Sequence, residues 1–235
     1  NILKKDIKNY YLKPPNISWG IIFPLSWTLM QLMRSPGENI LELLPGLMAM
    51  SILFGTTSML AVTITFERSG RSFERLLLAP ISINLMVLAK IAGTILFGIF
   101  NAFDPVIFAS LFIDLGGVNF GIIFPAVFMI AISSALMGLL IAVSAEQVFE
   151  AQTLSNFFRF PMLFLCGLFI PISDLPVFLR PLSYCLPLTY GADILKGAIT
   201  GGSSLSPLLS FGMLLFFTTA LFLFSRHNIN RKWIL

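Results

Sequence analysis

LPGLMAMSILFGTTSMLAVTITF, residues 44–66, carries no charged side chain and is bounded by Glu42 and Glu67. At 1.5 Å per residue a helix of this length crosses the roughly 30 Å hydrocarbon core of a bilayer. Working outward, apolar runs of similar kind lie at 17–33, 85–113, 120–143, 157–173 and 207–225, which makes six candidate spans. Composition agrees: hydrophobic residues make up 57% of the 235 and charged residues 11%, where a soluble domain carries about a quarter charged. The expected class is an all-α polytopic membrane protein, one transmembrane domain over 1–235. The third run is the longest, and Pro105 after Asp104 predicts a kink or break near 101–105.

Lys and Arg accumulate on cytoplasmic flanks. Counted alternately, one side of the membrane takes those before the first span, those of 67–80, Lys90, Arg159 and those after the sixth span. The other side takes only Arg34, Arg180 and Lys196. Both termini are therefore expected in the cytoplasm, which an even number of spans satisfies. Residues 1–16 place Leu3, Ile7, Tyr10 and Tyr11 at helical spacing with Lys4, Lys5 and Lys8 on another face, ending at Pro14 and Pro15. This predicts an interfacial amphipathic helix on the inner leaflet, as against a loosely held basic tail. The basic stretch lacks a small-residue cleavage site, so no removable leader is expected.

Between the last two spans, Pro171, Pro176, Pro181 and Pro187 recur every five or six residues and Gly201, Gly202, Ser203 and Ser204 close the segment. Such a sequence is too broken for one helix and too apolar for a hydrated loop. Short re-entrant or surface-lying extracytoplasmic helices over 171–206 are predicted.

Catalytic equipment is absent from the motifs. There is no GxxxxGK[ST] loop, no HExxH and no GxSxG, and the single histidine, His227, lies among basic residues beside the last span. Cys166 and Cys185 have no CxxC spacing, so neither a zinc site nor a disulfide framework is indicated. No catalytic residue, metal ligand, resident cofactor or nucleic-acid partner is expected. Asp104 is the one strong ionisable candidate within a span; it reads as a carboxyl hydrogen-bonded at a kink, one solvated near the outer surface, or a proton relay.

FERSGRSFERLLLAP, residues 66–80, concentrates Glu67, Arg68, Arg71, Glu74 and Arg75 between spans two and three. The arginines fall at i, i+3 and i+7, Glu67 can pair with Arg71, and Phe73, Leu76 and Leu77 share another face. A short amphipathic cytoplasmic helix over 67–80 is predicted. ERSGRSFERLLLAPIS, 67–82, resembles the first cytoplasmic loop of type-2 ABC transporter permeases of drug-resistance and polysaccharide-export systems. Glu67, Arg68, Phe73, Glu74, Leu76 and Pro80 match, Ser72 stands for the usual threonine, and Arg71 takes the usual glycine position beside Gly70. The stretch 166–197, with Leu175-Pro176, Pro181-Leu182 and Leu186-Pro187-Leu188-Thr189-Tyr190, is similar to that family's segment before the last span, as is Leu44-Pro45-Gly46 at the start of span two.

The resemblance implies an exporter permease of the plasma membrane with no nucleotide site of its own. It would work as one of two six-span halves, identical or different, above separate ABC ATP-binding subunits that bind ATP and magnesium. Glu67, Arg68, Arg71, Glu74 and Arg75 would form the coupling contact, aided by the interfacial helix. A transport path for an apolar or amphiphilic substrate is assigned to the seam between halves, with spans two and five and with Ser51, Gly55, Thr56 and Ser58; helix packing within one half explains those small residues equally well. An ion-coupled carrier using Asp104 and a non-transporting membrane scaffold are the alternatives.

Overall fold

A computed structural model describes residues 17–18, 22–34, 40–70, 83–111 and 113–233, and every structural statement below concerns these residues. The expected interfacial helix at 1–16 and most of the 67–80 loop, including Arg71, Glu74 and Arg75, lie outside them. The described residues form helices and turns without a strand. In chain order the helices are α1 (Phe23–Arg34), α2 (Ile40–Ser69), α3 (Ile83–Ala109), α4 (Phe120–Ser144), α5 (Val148–Leu165), α6 (Arg180–Tyr184), α7 (Pro187–Thr200) and α8 (Pro207–Trp233), with a 3-10 turn at Ile172–Asp174 before α6.

Four of these, α2, α3, α4 and α8, are long and apolar enough to cross a membrane. Of the other two expected spans, the first lies partly outside the described residues, with a helix of 12 residues, Phe23–Arg34, within those described. The fifth starts at Val148, nine residues before the apolar run at 157, and ends at Leu165, short of Ser173. The reason lies at both ends. Ala151-Gln152-Thr153-Leu154-Ser155-Asn156 continues a helix without being apolar, whereas Gly167 turns the chain with φ +83°, a conformation side chains disfavour.

Of the expected kink or break near 101–105, the break does not occur: α3 runs as one helix through Pro105 to Ala109. Proline forfeits one ladder donor, and a helix in a bundle tolerates this when its neighbours hold the backbone in place. The longest helix is α2, with 30 residues against 27 for α3, because Glu67, Arg68 and Ser69 continue it rather than beginning a separate element.

Helix α2 is the axis of the molecule. Its most apolar window is 94% buried, against 17% for α8, whose Leu215, Phe216, Leu223 and Phe224 are exposed on the outside of the bundle. α2 packs most extensively on α3 and α4 and also on α5 and α7, while α8 lies against α4 and α7. Some hydroxyls in this apolar interior bond to their own helix, as Thr56 Oγ1 donating to Ile52 O (2.7 Å) and Thr65 Oγ1 to Ala61 O (2.8 Å) show. Segment 171–206 forms three short elements, the last of which, α7, is longer than single turns. It buries Leu188, Tyr190, Ile194 and Leu195 and closes at Gly201, φ +74°, whose N–H donates to Gly197 O. Cys166 and Cys185 are both free thiols.

Close approach of α2 and α4 depends on Gly138. A Cβ there would lie 2.6 Å from the backbone oxygen of Thr57, whose own hydroxyl donates to Ser134 O across the same contact (3.2 Å). Backbone cannot yield as a side-chain tip can. Gly138→Ala is therefore expected to lower stability by about 1–3 kcal/mol, the usual cost of overpacking. Gly212→Ala, where an added Cβ meets nothing within 4 Å, is the matched control and should leave the detergent melting temperature unchanged.

Candidate functional site

The C-terminal end of α2 gathers the charges that the sequence singled out. Glu67 is wholly buried, and its Oε2 lies 2.7 Å from Nζ of Lys90, itself 2% exposed, in the second turn of α3. The expected pairing of Glu67 with Arg71 falls outside the described residues, and the ion pair described runs across to α3. Arg68 Nη1 donates to Ala142 O (3.1 Å) and Ala145 O (3.3 Å), carbonyls at the end of α4. Those carbonyls have no intrahelical donor of their own, and a cation at a helix C-terminus also meets the negative end of its dipole. Ser69 Oγ donates to Thr65 O (3.0 Å) and Glu146 O (3.5 Å), and Glu150 Oε2 accepts from the Glu146 N–H (3.0 Å) at the start of α5.

Within three residues, then, the end of α2 is fastened to α3, α4 and the approach to α5. The two helices flanking 71–82 share a buried ion pair, and Arg68 joins α2 to the end of α4. Glu67 is buried and Arg68 half-buried in this arrangement. Lys90 was counted in the sequence as a flanking positive charge, and its burial beside Glu67 corrects that.

The weakly polar face of α2 also lies inside. Ser51, Thr56 and Ser58 are buried, and Gly55 is opposed by the amide of Asn101 on α3, which occupies the space a Cβ would need. Thr56 similarly meets Gly98. These contacts, with Glu67 to Lys90, set an antiparallel register in which Ser51 stands level with Asp104. All four small residues are thus packed within one chain and none reaches a free face of it. The hydroxyls of Ser51 and Ser58, both polar atoms of Asn101 and Oδ2 of Asp104 have no hydrogen-bond partner. Asn101 is fully buried and Asp104 partly exposed, and no hydrogen bond joins them.

Arg159 was also counted as a flanking charge. It sits in α5, completely buried against the middle of α2. Its Nε donates to Ser155 O (3.2 Å), Nη1 to Phe54 O (3.3 Å) and Nη2 to Asn156 Oδ1, and its guanidinium carbon lies 4.3 Å from the centre of the Phe54 ring. Among the described residues no carboxylate lies within ion-pair distance of it. The sequence signal for this residue was the helix-compatible stretch from 148 onward, which places Arg159 three turns inside a helix. Among the described residues no group of three or more His, Cys, Asp or Glu could hold a metal ion.

Comparison with known proteins supplies the family. The sequence pattern of the ABC-2 type transporter family matches residues 1–200. The inner membrane transport permease YadH of Escherichia coli K12 is 23% identical over 189 residues, covering 80% of this chain and 74% of that protein. YadH of Escherichia coli O157:H7 and of Shigella flexneri match with the same identity and coverage. With its long apolar helices and a family match over most of its length, the chain belongs to the ABC-2 type transporter family and is a multi-pass membrane transport permease subunit.

Proposed function

We propose that this subunit is the permease half of an ATP-driven exporter that moves an apolar or amphiphilic substrate outward. ATP and its magnesium ion are bound and used by a separate ABC ATP-binding subunit, and a second permease half, identical or different, completes the transporter. Both termini and segment 67–80 face the cytoplasm. Arg71, Glu74 and Arg75 meet the ATP-binding subunit, and Glu67 and Arg68 transmit the displacement from beneath them.

The observation that supports this reading is the fastening of one helix end to three others. Glu67 to Lys90 ties α2 to α3, and Arg68 ties α2 to α4, on both sides of the charged segment. A loop with no mechanical task has no need of a buried ion pair at its root, since a surface charge is hydrated at no cost and a buried one is not. Mixed charge suits the docking face, where complementary pairs fix register more than they supply affinity. Cargo is proposed to pass along the seam between halves. The face of α2 with Ser51, Gly55, Thr56 and Ser58 joins that path only as α3 moves away from it.

Reconstitution with the ATP-binding subunit tests the reading. Glu74→Ala with Arg75→Ala should reduce transport per ATP hydrolysed about tenfold, or weaken subunit association, the scale of one lost desolvated charge contact. The melting temperature of the permease should hold. Unchanged coupling in the double variant would remove the segment from the mechanism, as would its labelling from outside intact cells.

A further inference from the structure

The end of the bundle opposite Glu67 holds a pocket of about 360 Å³ that the coupling reading does not use. It lies where α5 ends at Cys166 and Gly167 and where the short elements before α8 fold back, and Ser173, Tyr184 and Ser204 on its wall are exposed. Three ionisable groups decide its chemistry: Arg180, Asp193 and Lys196.

The carboxylate is already engaged. Asp193 Oδ1 accepts from the Ser204 N–H (2.6 Å), and Oδ2 accepts from the Leu205 N–H (3.3 Å) and from Ser210 Oγ (2.9 Å). These bonds hold the 201–206 turn and the start of α8 onto α7. Lys196 stands one turn further along α7, the spacing at which a Lys pairs with an Asp, yet no ion pair joins them. Lys196 is only partly exposed, and its ammonium has no hydrogen-bond or ion-pair partner among the described residues, its backbone carbonyl alone accepting from Thr200 Oγ1 (2.9 Å). Arg180 spends Nε on Leu175 O (3.0 Å) and Nη2 on Ser173 O (2.5 Å), which fixes its guanidinium in the pocket wall while Nη1 has no acceptor. The pocket therefore presents two cations against one carboxylate whose oxygens are occupied by donors. What it lacks is an anionic acceptor.

We propose that this pocket binds an oxyanion, the phosphate ester or carboxylate headgroup of an amphiphile, with Lys196 and the fixed Arg180 as its charged donors. The volume suits a headgroup the size of glycerol phosphate and not an acyl chain; small-ligand pockets begin at roughly 300 Å³. Arg180 provides a planar donor already set in place, and Lys196 a mobile point charge that closes on the ligand. The site stands on its own residues and does not depend on coupling to ATP.

The test uses the purified full chain in nanodiscs of zwitterionic phosphatidylcholine. Binding of sn-glycerol 3-phosphate is measured by calorimetry with glycerol as the uncharged control. Retention of phosphatidylglycerol over phosphatidylcholine is read by native mass spectrometry. Wild type should bind glycerol 3-phosphate and not glycerol. Lys196→Gln should weaken binding about tenfold or more, the scale of one charge-assisted hydrogen bond, and Lys196→Arg should restore it. Because Lys196 has no structural partner, its variants should melt as wild type does. Phosphatidylglycerol retained in wild type and lost in Lys196→Gln identifies a lipid headgroup as the source; soluble binding without lipid retention identifies a free anion. Equal binding by Lys196→Gln and wild type, or no preference for either anionic probe over its neutral control, overturns the proposal.

Discussion

Lys90→Ala should cost the folded protein about 3–5 kcal/mol, because it removes one partner of a buried ion pair. Both partners are buried, so solvent screening does not soften the loss. Glu67→Ala should cost a similar amount for the converse reason. The pair itself contributes far less than either single change suggests, since two charges were dehydrated to make it. Glu67→Gln with Lys90→Met should recover most of the stability. A double-mutant cycle on melting in detergent reads the coupling directly, with an interaction of about 1–3 kcal/mol expected between contacting residues. Additive losses would show that the two side chains do not act as one unit. If the recovered double variant also transports less per ATP, the pair serves transmission as well as folding.

Arg159→Ala is the second large effect. It removes the largest fully buried side chain, opens a cavity between α5 and α2, and takes a donor from Phe54 O. A loss of about 2–5 kcal/mol is expected, as for other large-to-small changes in a core. Arg159→Met separates volume from charge. It refills the space with an apolar chain, and replacing a buried charge by an apolar residue of similar size is often neutral or stabilising. Arg159→Met should therefore melt within about 1.5 kcal/mol of wild type, the range of volume-conserving core changes. A collapse as severe as that of Arg159→Ala would mean that the hydrogen bonds to Phe54, Ser155 and Asn156 hold α5 in place, and filling the space does not.

Much of the architecture is legible in the chain because it depends on one dimension. Runs such as 44–66 and 120–143 are long enough and apolar enough to be helices in lipid, and the four spans described follow them closely. The segment 67–80 is recognisable by its charges and by the family pattern they form. Glu67 and Arg68 are likewise found from their position. Their partners are not, since Lys90 and the carbonyls of Ala142 and Ala145 come together only when α3 and α4 pack on α2. Pro105 shows a related limit: a proline's local cost is read from sequence, but the neighbours that keep α3 continuous are not.

By itself the sequence determined the class of the protein, its family, and four stretches long and apolar enough to cross a membrane, because hydrophobicity and length are properties of a single segment. Tertiary structure alone decided that α2 is the central helix, that Lys90 and Arg159 point inward, and that Asn101 faces Gly55. It also decided that Lys196 stands unpaired beside an Asp193 already occupied. Each of these depends on which side of a helix a neighbour covers. A charge at a helix end is hydrated or buried according to that covering, and no single segment carries the information.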